Sequence, residues 1–400
     1  MSTVEQAERE ATTAVDSGPT ENLKVSVVIP CLNEAENIEE VVRIARTTLD
    51  ENNIPGEVIV SDNGSTDGSA ELAEKAGARV IHEPRRGYGS AYLAGFAAAR
   101  GEYIVMGDAD LTYDFREIPN YVARLDKGAQ LVMGNRLGNI EPGAMPWMHQ
   151  YVGNPIMTRL VNLFFRTNYD DVWCGMRGFR RDILPILDLR ATGMEFALEM
   201  IIRASKENLV IDQFPITLSH RGGESKLSRY RDGWRGLRFM LVHSPRWLFI
   251  IPGTILTVLG AIVMLIVLTQ VSIFGHTWNV HTAIAGSLGM VAGIQIVSMG
   301  LFARAYAVHV LGEKDPWFDR WRKRASLEGG LIVGGLILLA GLIMCAIVFG
   351  IWVDRGFGEI FIENFSVFAA TTVIVGLQVV FGSFLLSILA LRSVRPEPAA

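Results

Sequence analysis

Two aspartates one residue apart, Asp108 and Asp110, follow directly on the apolar stretch 103–106 (YIVM). Paired carboxylates at a strand end can hold a divalent ion, which in turn binds and neutralises a diphosphate. The same pair can also do no more than cap a loop. A second polar cluster, Ser61-Asp62-Asn63-Gly64-Ser65-Thr66-Asp67-Gly68, is placed in the same way after another apolar stretch. It reads equally as a turn leading into a helix N-capped through Ser65, Thr66 and Asp67. A third, Pro30-Cys31-Leu32-Asn33-Glu34, closes the first apolar stretch.

The elements that must position these clusters alternate in the manner of a layered α/β fold. Residues 24–29 (KVSVVI), 56–60, 79–82, 103–107, 130–134 and 209–214 read as strands, and 34–49, 69–76 and 91–100 as helices. All three polar clusters fall where a strand ends, and in such folds function gathers at the carboxyl edges of the strands.

The 400-residue chain is half hydrophobic with 40 glycines and a positive mean hydropathy, which implies a membrane part beside the α/β domain. Apolar runs at 248–271, 283–303, 331–353 and 365–391 each reach the ~20 residues needed to span a bilayer, so four transmembrane helices are expected. The loops 272–282 and 354–364 carry between them only Arg355, whereas 304–330 carries Lys314, Arg320, Arg322, Lys323 and Arg324, and Arg392 and Arg395 follow the last run. The positive-inside rule then puts 304–330, the C-terminal tail 392–400 and the domain 23–227 on the cytoplasmic side of the cell (inner) membrane. Residues 1–22, polar and without an apolar core, read as a disordered tail and not as a signal peptide. Between domain and first span, 228–247 interleaves Arg229, Arg231, Arg235, Arg238 and Arg246 with Trp234, Leu237, Phe239, Met240 and Leu241. That pattern suits an amphipathic helix in the headgroup region, or an ordinary solvated basic helix.

Composition excludes several classes. A net charge of −5 argues against a general nucleic-acid binder, and the three scattered cysteines Cys31, Cys174 and Cys345 supply neither a disulfide framework nor a zinc site. A dinucleotide fingerprint is also missing: PCLNE follows the first strand, and Gly87-Tyr88-Gly89 has Tyr92 where a third glycine belongs.

The succession VSVVIPCLNE, VSDNGSTDG and GDADL, in this order and spacing, resembles the family 2 glycosyltransferases of the GT-A fold. With VWCGMRGFRRD, RGGESKL and four spans it is similar to the polyprenyl-phosphate branch, the dolichol-phosphate mannose synthases and their bacterial glucosyl relatives. The resemblance covers 23 to about 252. It implies a Rossmann-like nucleotide-diphospho-sugar transferase domain followed by a four-helix transmembrane domain, and inverting, Mg²⁺- or Mn²⁺-dependent transfer of a hexose from a nucleotide-sugar to a polyprenyl phosphate for cell-envelope glycosylation. UDP-glucose is favoured over GDP-mannose by the GMRGFRRD-type bacterial resemblance, and a homo-oligomer is left open.

Carried over by position, the resemblance puts Pro30, Asn33 and Glu34 in the nucleoside pocket, Asp62 on the base or ribose, Asp108 near the diphosphate and metal, and Asp110 on the metal. Asn63 stands where many relatives have a second Asp, and Thr112 where the mannose synthases often add a metal-binding Gln. Arg136 in Gly134-Asn135-Arg136 matches the acceptor-phosphate arginine. His149 and Gln150 occupy the place of a second one. Arg221 and Lys226 fit a loop closing on the donor phosphates. Arg136 and Arg221 also suit plain surface ion pairs. Glu195 and Glu199, four apart on one helix face, could contact sugar hydroxyls or the metal region, or serve only their own helix. Two other readings share this pattern: a processive polysaccharide synthase, whose QxxRW signature is nearly matched by His243-Ser244-Pro245-Arg246-Trp247, and a non-catalytic membrane scaffold of the same fold.

Overall fold

Val25–Cys31 forms β1, and its sequence explains its central place in a sheet. Val25, Val27, Val28 and Ile29 are fully buried, the unbroken apolar run of a strand covered on both faces. Alternate side chains divide between those faces. Val25, Val27 and Ile29 join the core that contains Ile38, Val41 and Leu49, whereas Val28 lies on the other side against Gly95, where an added Cβ would collide with it. Burial of each contributes about 1.5–3 kcal/mol. Pro30 does no harm here. Val28 faces β4, its carbonyl accepting Gly107 N at 3.3 Å; Pro30, two residues on, faces the same way beyond the end of that ladder, so its missing N–H breaks no pair.

The computed structural model describes residues 23–222, 229–272, 278–310, 315–322, 326–358 and 362–391. The expected tails 1–22 and 392–400 (with Arg392 and Arg395), Lys226, Lys314, Lys323 and Arg324 lie outside them. The chain divides into two units, Met1–Phe239 and Met240–Ala400.

In the first unit the order is β1, α1 (Ile38–Glu51), β2 (Gly56–Asp62), α2 (Ser69–Lys75), β3 (Arg79–His82), α3 (Tyr88–Ala98), β4 (Tyr103–Met106), α4 (Ile118–Asp126), β5 (Leu131–Asn135), α5 (Asn154–Phe165), β6 (Arg177–Arg180), α6 (Phe196–Lys206) and β7 (Ile211–Pro215). The sheet order is β3-β2-β1-β4-β6-β5-β7, and β6 alone runs against the rest. This is the mixed, Rossmann-like GT-A sheet that the resemblance implied. Because six strands point one way, Cys31, Asp62, Met106, Asn135 and Pro215 end at one edge, which is where the polar clusters begin.

β6 is the strand the sequence pattern does not announce. Its RGFR lacks apolar alternation, yet Arg177, Gly178 and Phe179 are buried. Arg177 is satisfied by the carbonyls of Cys174, Val172 and Ala197, and Gly178 leaves room for the Tyr121 ring, whose Cβ would stand 3.0 Å from a side chain added there. Burial pulls the Arg177 guanidinium below its ordinary range. Helix α3 begins at Tyr88 and not at 91, a difference that matters for the site.

The second unit holds four helices long and apolar enough to cross a membrane: Arg246–Leu268, Val280–His309, Leu327–Asp354 and Glu363–Ala390. Each of the four begins before its apolar run does, since a helix continues through the polar residues at a bilayer's edge as long as its backbone bonds are made. The first and second helices pack together, as do the second and fourth and the third and fourth. Glycines set the approach: Gly260 lies against Gly286, and Gly253 against Gly293, the small-residue contact by which membrane helices associate.

Candidate active site

Asp108 and Asp110 leave β4 through Gly107, where a Cβ would stand 2.7 Å from the Phe115 ring. Leu111, between Asp110 and Thr112, has φ of 61°, a left-handed turn that an L-residue adopts only when its surroundings hold it there. The two carboxylates face different partners. Asp108 is half-buried, and its Oδ1 accepts from Tyr88 Oη at 2.9 Å and Tyr92 Oη at 3.3 Å. Gly175 closes the other side: a Cβ there would lie 2.9 Å from Asp108 Oδ2 and 3.1 Å from Tyr113 Oη. Burial first, and then the charge of Asp110, push the Asp108 carboxyl up to about 6, against the pull of the two tyrosines and Arg221. Burial raises both tyrosine hydroxyls well above their ordinary range, so they stay protonated donors.

Asp110 is buried and accepts from Thr112 N at 3.1 Å through Oδ1. Its Oδ2 takes Arg221 Nε at 2.6 Å, and Arg221 Nη2 as well. Arg221 is delivered by an extended stretch. Ile140 bridges Leu218, Ser219 N donates to Thr112 O at 3.1 Å, and Gly222 N donates to Asp110 O at 2.9 Å. Gly222 O in turn accepts from Asn37 Nδ2 at 3.0 Å, and the same amide reaches Glu34 Oε2 at 3.5 Å. Burial alone would lower the Arg221 guanidinium, but the Asp110 charge and hydrogen bond hold it above its ordinary range.

The nucleoside candidates form a second stitched layer. Asn33, at φ 54°, accepts Thr66 N at 2.9 Å on Oδ1 and donates its own N–H to Ser65 Oγ at 2.9 Å. Asp62, buried at the tip of β2, accepts Ser65 N at 3.1 Å and Gly64 N at 3.2 Å, with His82 Nδ1 at 3.4 Å. Burial raises its carboxyl, but these bonds outweigh it and the group sits below the usual carboxylate range. Asn63 is committed to structure: its amide donates to Glu83 O and Arg85 O and accepts Gly87 N.

Arg136 is not a surface ion pair. It is buried and forked onto Asp171, with Nε at 2.7 Å and Nη2 at 2.9 Å, while Nη1 donates to Tyr113 Oη at 3.3 Å. Of its five N–H groups these use three. Tyr113 Oη accepts Gly175 N at 2.7 Å, so Arg136 is tied through Tyr113 to the wall around Asp108. Glu199 serves structure, accepting Arg190 N at 3.0 Å and Ala191 N at 2.8 Å. It thereby holds the backbone of 191–192, against which Gly87 and Gly89 pack too closely for any Cβ. That contact lets α3 start at Tyr88 and aim its hydroxyl at Asp108. Asp114 caps a short 3-10 turn through Arg116 N. Glu195, His149 and Gln150 are half-buried, and among the described residues no hydrogen bond or ion pair joins them to the acidic pair. Lys226 lies outside the described residues.

Tyr88, Tyr92, Tyr113, Asp171 and Gly175 are the members of this site that sequence reasoning missed. The one legible signal was Tyr88 and Tyr92, four apart on one helix face. A further feature is exposed: Trp147 (66 %) and Tyr151 (70 %), with Met148, Val152 and Ile156, form an apolar strip before and along α5. The Arg229–Val242 helix is likewise exposed at Trp234, Arg235 and Arg238, and rests Gly236 on Trp173.

Two carboxylates at one strand end would suit a hard divalent cation that completes its shell with substrate phosphates, as Mg²⁺ does. Among the described residues no three His, Cys, Asp or Glu gather into a fuller cage.

Comparison with known proteins matches residues 26–186 to the glycosyl transferase family 2 model and 301–390 to the family 2 C-terminal transmembrane region. A low-salt glycan biosynthesis hexosyltransferase, Agl6 of Haloferax volcanii, is 42 % identical over 93 % of this chain and 89 % of its own length. A dolichyl-phosphate hexose transferase of the same organism is 33 % identical over 44 % of this chain and 75 % of its own. Among solved structures, glucosyl-3-phosphoglycerate synthase from Mycobacterium tuberculosis aligns at 24 % identity and TM-score 0.46, over 56 % of this chain and 80 % of its own.

Proposed function

The chain belongs to glycosyltransferase family 2 and is a membrane protein, and on that footing we propose that it moves one hexose, with inversion, from a nucleotide-sugar to the phosphate of a polyprenyl phosphate. The observation that carries this reading is the Asp108/Asp110 pair, set at the carboxyl edge of the sheet beside Arg221, in a chain that also carries four apolar spans. The named activity of the dolichyl-phosphate relative supports a lipid acceptor, and the exposed Trp147–Tyr151 strip and Trp234 support contact of the domain with a lipid surface.

In this reading Pro30, Asn33, Glu34 and Asp62 hold the nucleoside. Asp110 and Asp108 hold Mg²⁺ or Mn²⁺ on the diphosphate, and Arg221 with Lys226 takes phosphate oxygens. Arg136, with the two N–H groups that Asp171 and Tyr113 leave over, faces the incoming phosphate together with His149 and Gln150, and Glu195 contacts the sugar. The cation, when bound, neutralises charge on the departing diphosphate. A phosphate monoester has a second pKa of about 6, so the acceptor arrives largely as a dianion and needs no general base. Attack opposite the leaving group inverts the anomeric centre. The donor is UDP-glucose, with GDP-mannose as the alternative. The catalytic domain is cytoplasmic.

Detergent-purified protein incubated with polyprenyl phosphate, Mg²⁺ or Mn²⁺, and radiolabelled UDP-glucose or GDP-mannose in separate tubes tests the reading. Label enters the organic phase with one donor, and both EDTA and Asp110→Asn abolish it. Label that instead accumulates in high-molecular-mass polymer supports a processive synthase.

A further inference from the structure

The described part of the membrane unit encloses a cavity of about 810 Å³ among all four spans and the short helix Pro316–Arg322. At the end of the bundle where the second span finishes and the third begins, it is lined by His309, Trp321, Arg322 and Ser326. From there it follows the second span down to Ile294, 15 residues before His309, which is roughly 22 Å of helix.

The walls are apolar in effect as well as in composition. Of their hydroxyls, Thr254, Thr257, Ser298 and Ser383 each donate to a carbonyl one turn back in their own helix, at 2.6, 2.8, 2.9 and 2.7 Å. The amide of Gln378 donates to Gln295 Oε1 at 3.1 Å. These groups have spent their protons on the protein, and Gln378 Oε1 is left buried without a partner, so a sugar would find one free acceptor and few donors to replace its water. An alkyl or isoprenoid chain needs none.

The end at His309 and Arg322 has the opposite character. Arg322 is exposed there, its Nη1 2.8 Å from His309 Nε2, and Trp321 flanks it. The apolar run of the second span ends at Ala303, six residues or about 9 Å of helix before His309, which puts His309, and Arg322 beside it, beyond the hydrocarbon core and towards the headgroups. Arg304, at the same end, is already paired with Asp315, and among the described residues that line the cavity Arg322 is the one Lys or Arg. An apolar shaft under a guanidinium at headgroup depth is complementary to a lipid with a terminal phosphate.

We propose that this cavity is a binding site for a polyprenyl phosphate, with the isoprenoid tail between the spans and the phosphate on Arg322 and His309. The choice of a polyprenyl over a diacyl lipid rests on the acceptor proposed above. The site lies wholly within the membrane unit and is additional to Arg136.

The test uses the full chain in nanodiscs and a polyprenyl phosphate bearing a photoreactive diazirine in its tail. Labelled peptides fall in 294–309 and 378–390, and unlabelled polyprenyl phosphate displaces the probe better than polyprenol or phosphatidylglycerol. Arg322→Ala weakens labelling about tenfold, the scale of one charge-assisted hydrogen bond. Val333→Trp, which fills the shaft, does the same without slowing transfer to a short, water-soluble prenyl phosphate. Equal displacement by phosphatidylglycerol, or labelling that survives both substitutions, overturns the proposal even if lipid-phosphate glycosylation is found. Failure of all transfer refutes the function while labelling still decides the site.

Discussion

Arg221 and Asp110, 111 residues apart, form an ion pair at the carboxyl edge of the sheet, with Arg221 Nε 2.6 Å from Asp110 Oδ2. The carboxylate best placed to take a divalent cation therefore already holds a cationic side chain. In the proposed function a divalent cation would compete with Arg221 for Oδ2, and a donor diphosphate would relieve that competition by offering Arg221 a new anion.

Removing the competitor is the first prediction. Arg221→Ala tightens Mn²⁺ binding in the absence of donor by about tenfold or more, as expected for a unit charge a few Å away at the effective dielectric of a protein surface. It also lowers turnover, because the diphosphate loses a cation. Mn²⁺ titration followed by electron paramagnetic resonance reads the affinity, and an unchanged value contradicts the competition.

Gly175 tests how tightly Asp108 is placed. A Cβ at 175 stands 2.9 Å from Asp108 Oδ2, so Gly175→Ala moves the carboxylate off its tyrosines. Turnover falls by about 10²-fold, the usual penalty for a displacement near 1 Å, while the circular dichroism of the fold is kept. Parental turnover would show that Asp108 is not held by this wall.

The Asp108 carboxyl gives a pH signature. Its folded value of about 6 lies above the unfolded value of about 3.9, so the folded chain binds this proton more tightly. Its contribution to stability therefore falls as pH rises from about 4 to about 6 and is level above that. Thermal unfolding in EDTA shows this fall in the parent relative to Asp108→Asn. The difference disappears if Asp108 ionises normally.

Asp171 is the buried partner of Arg136, and removing one member of such a pair costs about 3–5 kcal/mol. Asp171→Ala unfolds at correspondingly lower denaturant. Although burial raises the Asp171 carboxyl, Arg136 outweighs that and holds it below the ordinary range. The stability it confers is therefore complete above about pH 4 and is lost as pH falls through the depressed value. A loss under 1 kcal/mol would mean that Arg136 finds another partner.

What the sequence revealed follows physical lines. β1, β2 and β4 were legible because each carries a continuous apolar run ending in a polar turn, and Asp62, Asp108 and Asp110 lie at those ends. The four spans were legible from length and hydropathy alone. β6 was hidden because RGFR buries an arginine whose partners are backbone carbonyls, and no composition rule foresees them. The bond from Tyr88 to Asp108 was hidden because it depends on two glycines pressing against the backbone of 191–192. Asp171 was hidden because the partner of a buried arginine is set by the fold and not by spacing.

The most direct test of the central claim is mass spectrometry and proton nuclear magnetic resonance of the lipid formed from an α-linked nucleotide-hexose and polyprenyl phosphate. Single transfer with inversion gives a product heavier by one hexose residue and β-linked at the anomeric carbon. Retention of the α configuration, addition of more than one hexose, or an equal yield when polyprenol replaces the phosphate would contradict it.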